Sequence, residues 1–348
     1  MKSMLGKKAV LLLTVSGVAV SLVACGANPT TQSKDSASAA SEPSGTLHFY
    51  TSQPDADAAA LVKAFNKKYP NVKVETFRSG TEEVVSKLLA ESKANNVQAD
   101  VLLMADAPTF VRLKKQGLLM SYKSKEGSGI PANLKDPGGD YYGTKIMATV
   151  LMVNTNDVKS LPSSWKVLTD PKTSGKSIMP SPLYSGAAAY NVGVFSRQSD
   201  FGWDFFKQLA NNKVTVSKGN GSVLKSVASG EKDYGMIVDF MAAKAKKQGS
   251  PVDFVYPSEG VPVITEPVAI TKATKNPIAA KAFEDFILSS AGQKVEASRG
   301  YTPIRQGIKA PEGLKTIDQI KIISANPDQL ETTREADKKK FGEIISGK

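Results

Sequence analysis

The sequence predicts an α/β fold of two lobes joined by two extended crossings, and three observations carry that prediction. From Gly45 onward, short apolar runs of strand character alternate with runs of helical period, the pattern of a largely parallel sheet covered by helices. The body holds about 300 residues, enough for two domains. Two long β-like stretches, residues 144–153 and 263–270, bracket a middle segment, as two passages between lobes would.

In chain order, residues 45–52 form a β-rich run ending in a turn. Ala58, Leu61, Val62, Phe65 and Tyr69 share one face of a helix stopped by Pro70. Residues 72–77 alternate like a strand, and Val84, Val85, Leu88 and Leu89 form the inward stripe of the next helix. Residues 99–104 are a buried-strand candidate, followed by a helix around residues 110–115 that Gly117 closes. In the middle segment the pattern predicts helices at 203–210, 222–229 and 240–247, with strands at 214–216, 234–238 and 252–256. Helices near 279–288 and 292–297 follow the second long stretch.

The first 24 residues carry Lys2, Lys7 and Lys8 ahead of an apolar stretch interrupted by Thr14, Ser16, Gly17 and Ser21. This is the pattern of a signal peptide and falls short of the roughly 20 predominantly apolar residues of a spanning helix. It ends in Leu22-Val23-Ala24-Cys25, which resembles the bacterial lipobox. The resemblance implies that Cys25 becomes the lipidated first residue of the mature chain. Cys25 is the sole cysteine, so neither a disulfide nor a cysteine metal site is expected in the mature fold. Residues 25–45 are small and polar and have little to bury, the composition of a tether that spans on the order of 25 Å. The formal charge of +12 falls to +9 without Lys2, Lys7 and Lys8. Such a surface suits anionic lipid, wall polymer or acidic solutes. No interleaving of aromatic and basic residues points to nucleic acid.

Three segments place small or hydroxyl residues where a loop turns into a helix, leaving backbone N–H groups that attract anions. The first is Arg78, Ser79, Gly80 and Thr81, which also describes an ordinary N-cap beside a surface arginine. The second runs from Ser181 through Tyr184, Ser185, Gly186 and Ala187, where Gly186 admits a ligand to the backbone and an alanine run begins a helix. The third, residues 218–222, reads better as a plain glycine turn. Asp239, following an apolar strand, and Glu266, inside the second long stretch, are candidates for an ammonium or a sugar hydroxyl. A helix cap or a lysine pair would explain them equally. Ser52, at the end of the first strand, completes the candidate set.

Enzymatic readings have little support. His48 is the sole histidine and lies in the first strand, so a serine or cysteine triad would need that residue. Metal-ligand spacings and a P-loop are absent from the sequence. No catalytic residue, cofactor or resident metal is predicted.

Residues 47–52, 64–70, 99–101, 164–171, 185–190, 227–231 and 263–270 resemble those of the bacterial ABC-importer solute-binding proteins. The similar branch is the one named for ferric-iron binders, which also includes binders of phosphorylated sugars and phosphonates. The resemblance implies a type II periplasmic-binding-protein fold with two hinge strands. Lobe 1 would comprise residues 46–150 plus about 264–300, and lobe 2 residues 151–263 plus about 301–348. It implies a monomer tethered by lipid to the extracytoplasmic face of the cell membrane, handing solute to permease subunits. It also implies that the anion sits against Tyr184, Ser185, Gly186 and Ala187 and the loop of Ser79, Gly80 and Thr81. At positions where iron binders of the branch often carry histidine, carboxylate and paired tyrosines, this chain has Gln53-Pro54, Met104-Ala105 and Asp239-Phe240-Met241. Such substitutions remove hard donors for ferric iron. The expectation is therefore a phosphorylated-sugar or phosphonate-type anion. Ferric iron or a ferric–anion complex is one alternative, and a ligand sensor for a membrane kinase or a cell-surface hydrolase are others.

Overall fold

A computed structural model describes residues 42–347. The signal-peptide, lipidation and most of the tether expectations fall on residues outside the described range. Among the described residues no helix is long and apolar enough to cross a membrane.

Lobe 1 is built on β1 (Gly45–Thr51), β2 (Val72–Arg78) and β3 (Val101–Leu103), which are parallel to one another in the order β2-β1-β3. Two long antiparallel strands extend this sheet, β4 (Tyr142–Asn154) and β9 (Val261–Ile270). Lobe 2 contains β5 (Ser177–Pro180), β6 (Thr215–Ser217), β7 (Tyr234–Val238) and β8 (Val252–Val255). The whole order is β2-β1-β3-β9-β4-β7-β5-β6. Short β10 (Thr302–Pro303) joins β4, and β11 (Ile322–Ile323) joins β9.

β4 and β9 explain how one sheet serves two lobes. The first half of β4, through Ala148, pairs with β9, whereas Thr149–Val153 pairs with β7 and Leu151–Asn154 with β8. β9 passes in the reverse direction, ending against β3. Every residue of β4 is buried, to which the apolar run of Val150, Leu151, Met152 and Val153 contributes.

Each lobe covers its sheet on both faces. In lobe 1, α1 (Asp55–Lys68) and α8 (Pro277–Leu288) bury Phe65 and Phe283 against Phe49, with edge-on aromatic contacts at 4.8 and 5.0 Å. The other face takes α2 (Thr81–Lys93) and α3 (Ala107–Lys115), packing Val84, Leu88, Phe110 and Leu113. In lobe 2, α4 (Gly186–Phe195) and α5 (Gly202–Asn211) gather Phe195, Phe205 and Phe206 around Trp165. On the opposite face lie α6 (Asn220–Ala228) and α7 (Asp239–Lys247). α9 (Ser290–Ser298) follows α8, and the chain ends in α10 (Pro327–Ser346), a 20-residue helix that the apolar pattern does not predict.

A buried charge cluster sits where the hinge strands cross. Lys145 of β4 is fully buried, 2.7 Å from Glu266 of β9 and 3.0 Å from Glu296 of α9. Burial disfavours its ammonium, but the two carboxylates outweigh that and raise its pKa. Its Nζ also lies 4.5 Å from the centre of the Tyr301 ring. Losing the cation would strand two carboxylates in apolar surroundings. Lys145→Met is expected to cost about 3–5 kcal/mol, checked by urea unfolding; a loss below ~1 kcal/mol would contradict this role.

Candidate functional site

A cleft of about 360 Å³ lies between the lobes, within the range of small-ligand sites. Its walls are mostly helix starts. Lobe 1 contributes the beginning of α1 (Pro54, Asp55) and of α2 (Gly80, Thr81), with Ser52, Arg78 and Ala105 beside them. Lobe 2 contributes the starts of α4 (Ser185, Gly186, Ala187), α6 (Gly219 to Ser222) and α7 (Val238, Phe240, Met241). Lys218 and Tyr184 stand at the side, and Met147, Glu266 and Tyr301 form the rest of the wall.

A helix cannot satisfy its own first-turn N–H groups, and its N-terminus carries roughly half a positive charge. The five starts differ in what already compensates that charge. α1 has Asp55 and Asp57, and α7 has Asp239. α4 and α6 have no acidic residue in the first turn. α2 has Glu82 and Glu83, but both are engaged elsewhere. Glu82 pairs with Arg334 and Lys338 at 2.7 and 2.6 Å, while Glu83 bonds Ser79 and faces Lys218 at 3.6 Å. Positive potential therefore remains where α2, α4 and α6 meet, with Arg78 and Lys218 adding formal charge.

Of the residues the sequence nominated, Ser52, Arg78, Gly80, Thr81, Tyr184, Ser185, Gly186, Ala187 and Glu266 line this one cleft. Ser185 caps α4, accepting from the Ala188 N–H at 3.3 Å, which leaves the Gly186 and Ala187 amides nearer the cleft. Arg78 donates from Nε to the Gln53 carbonyl at 2.8 Å and reaches the Tyr184 hydroxyl at 3.4 Å. Glu266 is 4% exposed, and its Oε2, although 2.7 Å from Lys145, accepts no hydrogen bond of good geometry. Burial raises its pKa, with Lys145 acting in opposition.

Three nominations are corrected. Ser79 does not line the cleft, because its hydroxyl turns to Glu83. Ser181 stays behind the loop, accepting from the Leu183 N–H at 3.2 Å. Asp239 is buried behind the wall, where it accepts from Tyr256 Oη at 3.0 Å, Ala148 N at 3.2 Å and Phe240 N at 2.8 Å. It joins α7 to hinge strand β4 and is not a lining residue. Conversely, residues 218–222, read from sequence as a plain turn, form one cleft wall; the glycines flanking Asn220 were the available signal. Tyr301 and Met147 carried no local motif and were missed. His48 pairs with Asp100 at 3.2 Å and is not a lining residue.

The lobes touch across the cleft through two glycines. A Cβ on Gly80 would lie 2.5 Å from the Tyr184 carbonyl, and one on Gly186 would lie 2.6 Å from the Ala105 carbonyl. Across the same seam the Glu82 N–H donates to that Tyr184 carbonyl at 3.3 Å. Gly80 has φ −65° and ψ 154°, which any residue adopts, so its lack of a side chain serves approach rather than backbone conformation.

Among the described residues, no three His, Cys, Asp or Glu side chains are grouped to hold a metal ion. The two phenols lining the cleft stand apart in role: Tyr301 is buried and donates to Asp57 at 3.0 Å, and Tyr184 is shared with Arg78 and Lys218.

Two outcomes are expected. Gly80→Ala is expected to abolish ligand-induced stabilisation, because an added Cβ meets the Tyr184 carbonyl in the closed contact; thermal shift with and without solute checks this. Asp239 has its pKa pushed up to about 7 by burial, against the hydrogen bonds from Tyr256, Phe240 and Ala148. An unfolded aspartate titrates near ~3.9, so the stability this group contributes is complete below about pH 4 and is lost as pH rises through about 7. Melting curves of Asp239→Asn are therefore expected to gain on the parent chain between about pH 4 and 8; a pH-independent difference would contradict it.

The model of the bacterial extracellular solute-binding protein family matches residues 49–302. The probable ABC transporter periplasmic-binding protein y4fP of Sinorhizobium fredii is 26% identical over 296 residues, 81% of this chain and 80% of that one. Among solved structures, the periplasmic binding protein AfuA from Actinobacillus pleuropneumoniae, with exogenous fructose-6-phosphate bound, aligns with TM-score 0.81 and 27% identity. The alignment covers 87% of this chain and 99% of AfuA. Iron-bound HitA from Pseudomonas aeruginosa aligns with TM-score 0.75 and 26% identity, covering 85% of this chain and 99% of HitA. The fold is thus the two-lobed type II periplasmic-binding-protein fold, with β4 and β9 as its hinge strands. This chain belongs to the bacterial extracellular solute-binding protein family and works in ABC import as a solute binder, not as an enzyme.

Proposed function

We propose that the cleft captures a small organic anion carrying a phosphate or phosphonate group and delivers it to the permease of an ABC importer. The observation that carries this reading is the meeting of the α2, α4 and α6 starts, whose first-turn acids are either absent or paired off. A phosphate oxygen there accepts N–H bonds from residues 80–81, 186–187 and 220–221, with Arg78 and Lys218 completing the charge. Charge-assisted bonds of this kind contribute roughly 1.5–3 kcal/mol each. The organic end turns toward the opposite wall, where Glu266 and the Phe240–Tyr301 pair, 4.0 Å apart, accept a hydroxyl or amine over an apolar ring face.

Closure joins the parts of the site. Arg78, Gly80 and Thr81 belong to lobe 1, whereas residues 184–187 and 218–222 belong to lobe 2, so the complete anion site exists only when the lobes meet. A solute that binds the closed form better shifts the population toward it, and that form is what the permease receives. The fructose-6-phosphate in AfuA supports this chemistry, and the iron in HitA supplies the competing one. We further propose that residues 1–24 direct export and that Cys25 carries lipid, the tether through residue 45 holding the body at the extracytoplasmic membrane face.

Calorimetric titration with fructose 6-phosphate, aminoethylphosphonate and ferric citrate tests the ligand class. Binding of either phosphorus compound, with ferric citrate silent, is the expected result; binding of ferric citrate alone would overturn it. Ser185→Asp places a carboxylate at the start of α4 and is expected to weaken phosphate-ester binding at least about a hundredfold. Unchanged affinity in that variant would remove α4 from the site.

A further inference from the structure

The C-terminal helix α10 joins the two lobes by two different kinds of contact. Its apolar side belongs to lobe 2. Leu330 and Phe341 are buried in the core with Trp165 and Phe195, Phe341 meets Phe206 edge-on at 5.6 Å, and Asp337 pairs with Arg197 at 2.9 Å. Leu330 lies so close to Gly193 of α4 that a Cβ there would be 2.6 Å from it. A second, charged side reaches lobe 1. Arg334 holds Asp106 at 2.9 Å and Glu82 at 2.7 Å, and Lys338 holds Glu82 at 2.6 Å. Farther along, Arg112 and Lys115 of α3 pair with Glu335 and Glu331 at 3.0 and 2.7 Å.

The central pairs are buried: the side chains of Arg334 and Asp106 are 6% and 1% exposed. Burial raises the Glu82 carboxyl, but Arg334 and Lys338 outweigh it and hold the pKa below the ordinary value. Asp106 caps α3, accepting from the Thr109 N–H at 3.0 Å, and Glu82 lies in the first turn of α2. Each follows directly after a cleft-lining residue, Ala105 and Thr81. Those same two residues crowd Gly186 across the seam.

We propose that α10 is a latch between the lobes, and that Arg334 is the positioning residue that sets how far the cleft stands closed before solute arrives. α10 moves with lobe 2, because its apolar side is part of that core. A rotation about β4 and β9 that parts Gly80 from Tyr184 therefore pulls Arg334 from Asp106 and Glu82, leaving two buried carboxylates to be rehydrated. The guanidinium fork bonds both carboxylates at once, which a lysine ammonium cannot reproduce. The latch also draws the Glu82 charge away from the α2 start, so releasing it both opens the cleft and weakens the anion field.

The test measures spin-label distances across the cleft mouth in ligand-free protein. The full chain carries Cys25→Ser, with labels at Thr76→Cys on the lobe 1 rim and Leu183→Cys on the lobe 2 rim. Arg334→Met is expected to move the distribution to longer distances, Arg334→Lys to fall between it and the parent, and Lys339→Met, on the exposed side of α10, to match the parent. Apparent affinity for fructose 6-phosphate is expected to fall about tenfold in Arg334→Met, following the lost closed population. A merely structural arginine would lower the melting temperature without changing the distance. An unchanged distance in Arg334→Met overturns the proposal, and so does a parent chain already as open as that variant. If Arg334→Met fails to fold, Lys338→Met must show a smaller opening in the same direction, and no opening overturns the latch. Because the distance readout needs no ligand, its failure leaves the phosphate reading standing, and silence in the titrations leaves the latch standing.

Discussion

Backbone N–H groups at the first turns of α2, α4 and α6 must find acceptors that their helices cannot provide, and the arrangement of the two lobes follows from bringing those turns together. Large side chains at the seam would hold the lobes apart. Gly80 and Gly186 instead let backbone meet backbone, with the Tyr184 carbonyl against one and the Ala105 carbonyl against the other. Acidic residues at the same turns would cancel the field. α4 and α6 have none, and those of α2 are drawn off by Arg334, Lys338, Ser79 and Lys218. On the proposed reading, small residues and displaced charge serve one requirement, a place for a foreign anion.

The hinge strands carry the complementary constraint. β4 and β9 change partners midway, so side chains at the change belong to neither lobe alone. Just before that change, beside the irregularity between Gly143 and Ile146, Lys145 and Glu266 bridge β4 and β9, with Glu296 supporting Lys145 and Tyr301 roofing it. Asp57 extends the cluster, taking Arg299 at 2.6 Å and the Tyr301 hydroxyl at 3.0 Å. A paired buried cluster adds little net stability over an apolar one but punishes loss of any member. Its position makes the wall opposite the helix starts rigid and polar at one point, Glu266, and aromatic beside it.

Much of this was legible in the sequence because it was local. The alternation at residues 45–51 and the inward stripe of Leu61 and Phe65 give β1 and α1 directly, and Tyr184-Ser185-Gly186 announced a helix start without bulk. What was not legible depends on partners distant in the chain. Asp239 looked like a strand-end ligand until Tyr256 and Ala148 were seen to occupy it. Residues 218–222 differ little from any glycine turn until α6 is placed opposite α2. Ser177–Pro180 is short and ends in proline, so β5 was missed. α10 escaped because its inward face needs only a few apolar residues, Leu330 and Phe341 foremost. Its other inward contacts are arginine and lysine, which an apolar-periodicity reading assigns to solvent.

The most direct test of the amide-held anion is a crystal structure of the protein with its solute bound. The account requires an anionic oxygen within hydrogen-bond distance, roughly 2.7–3.2 Å, of backbone nitrogens among residues 80–81, 186–187 and 220–221, with contributions from both lobes. A ferric ion held by the Tyr184 phenolate, with no ligand atom on those nitrogens, would contradict it.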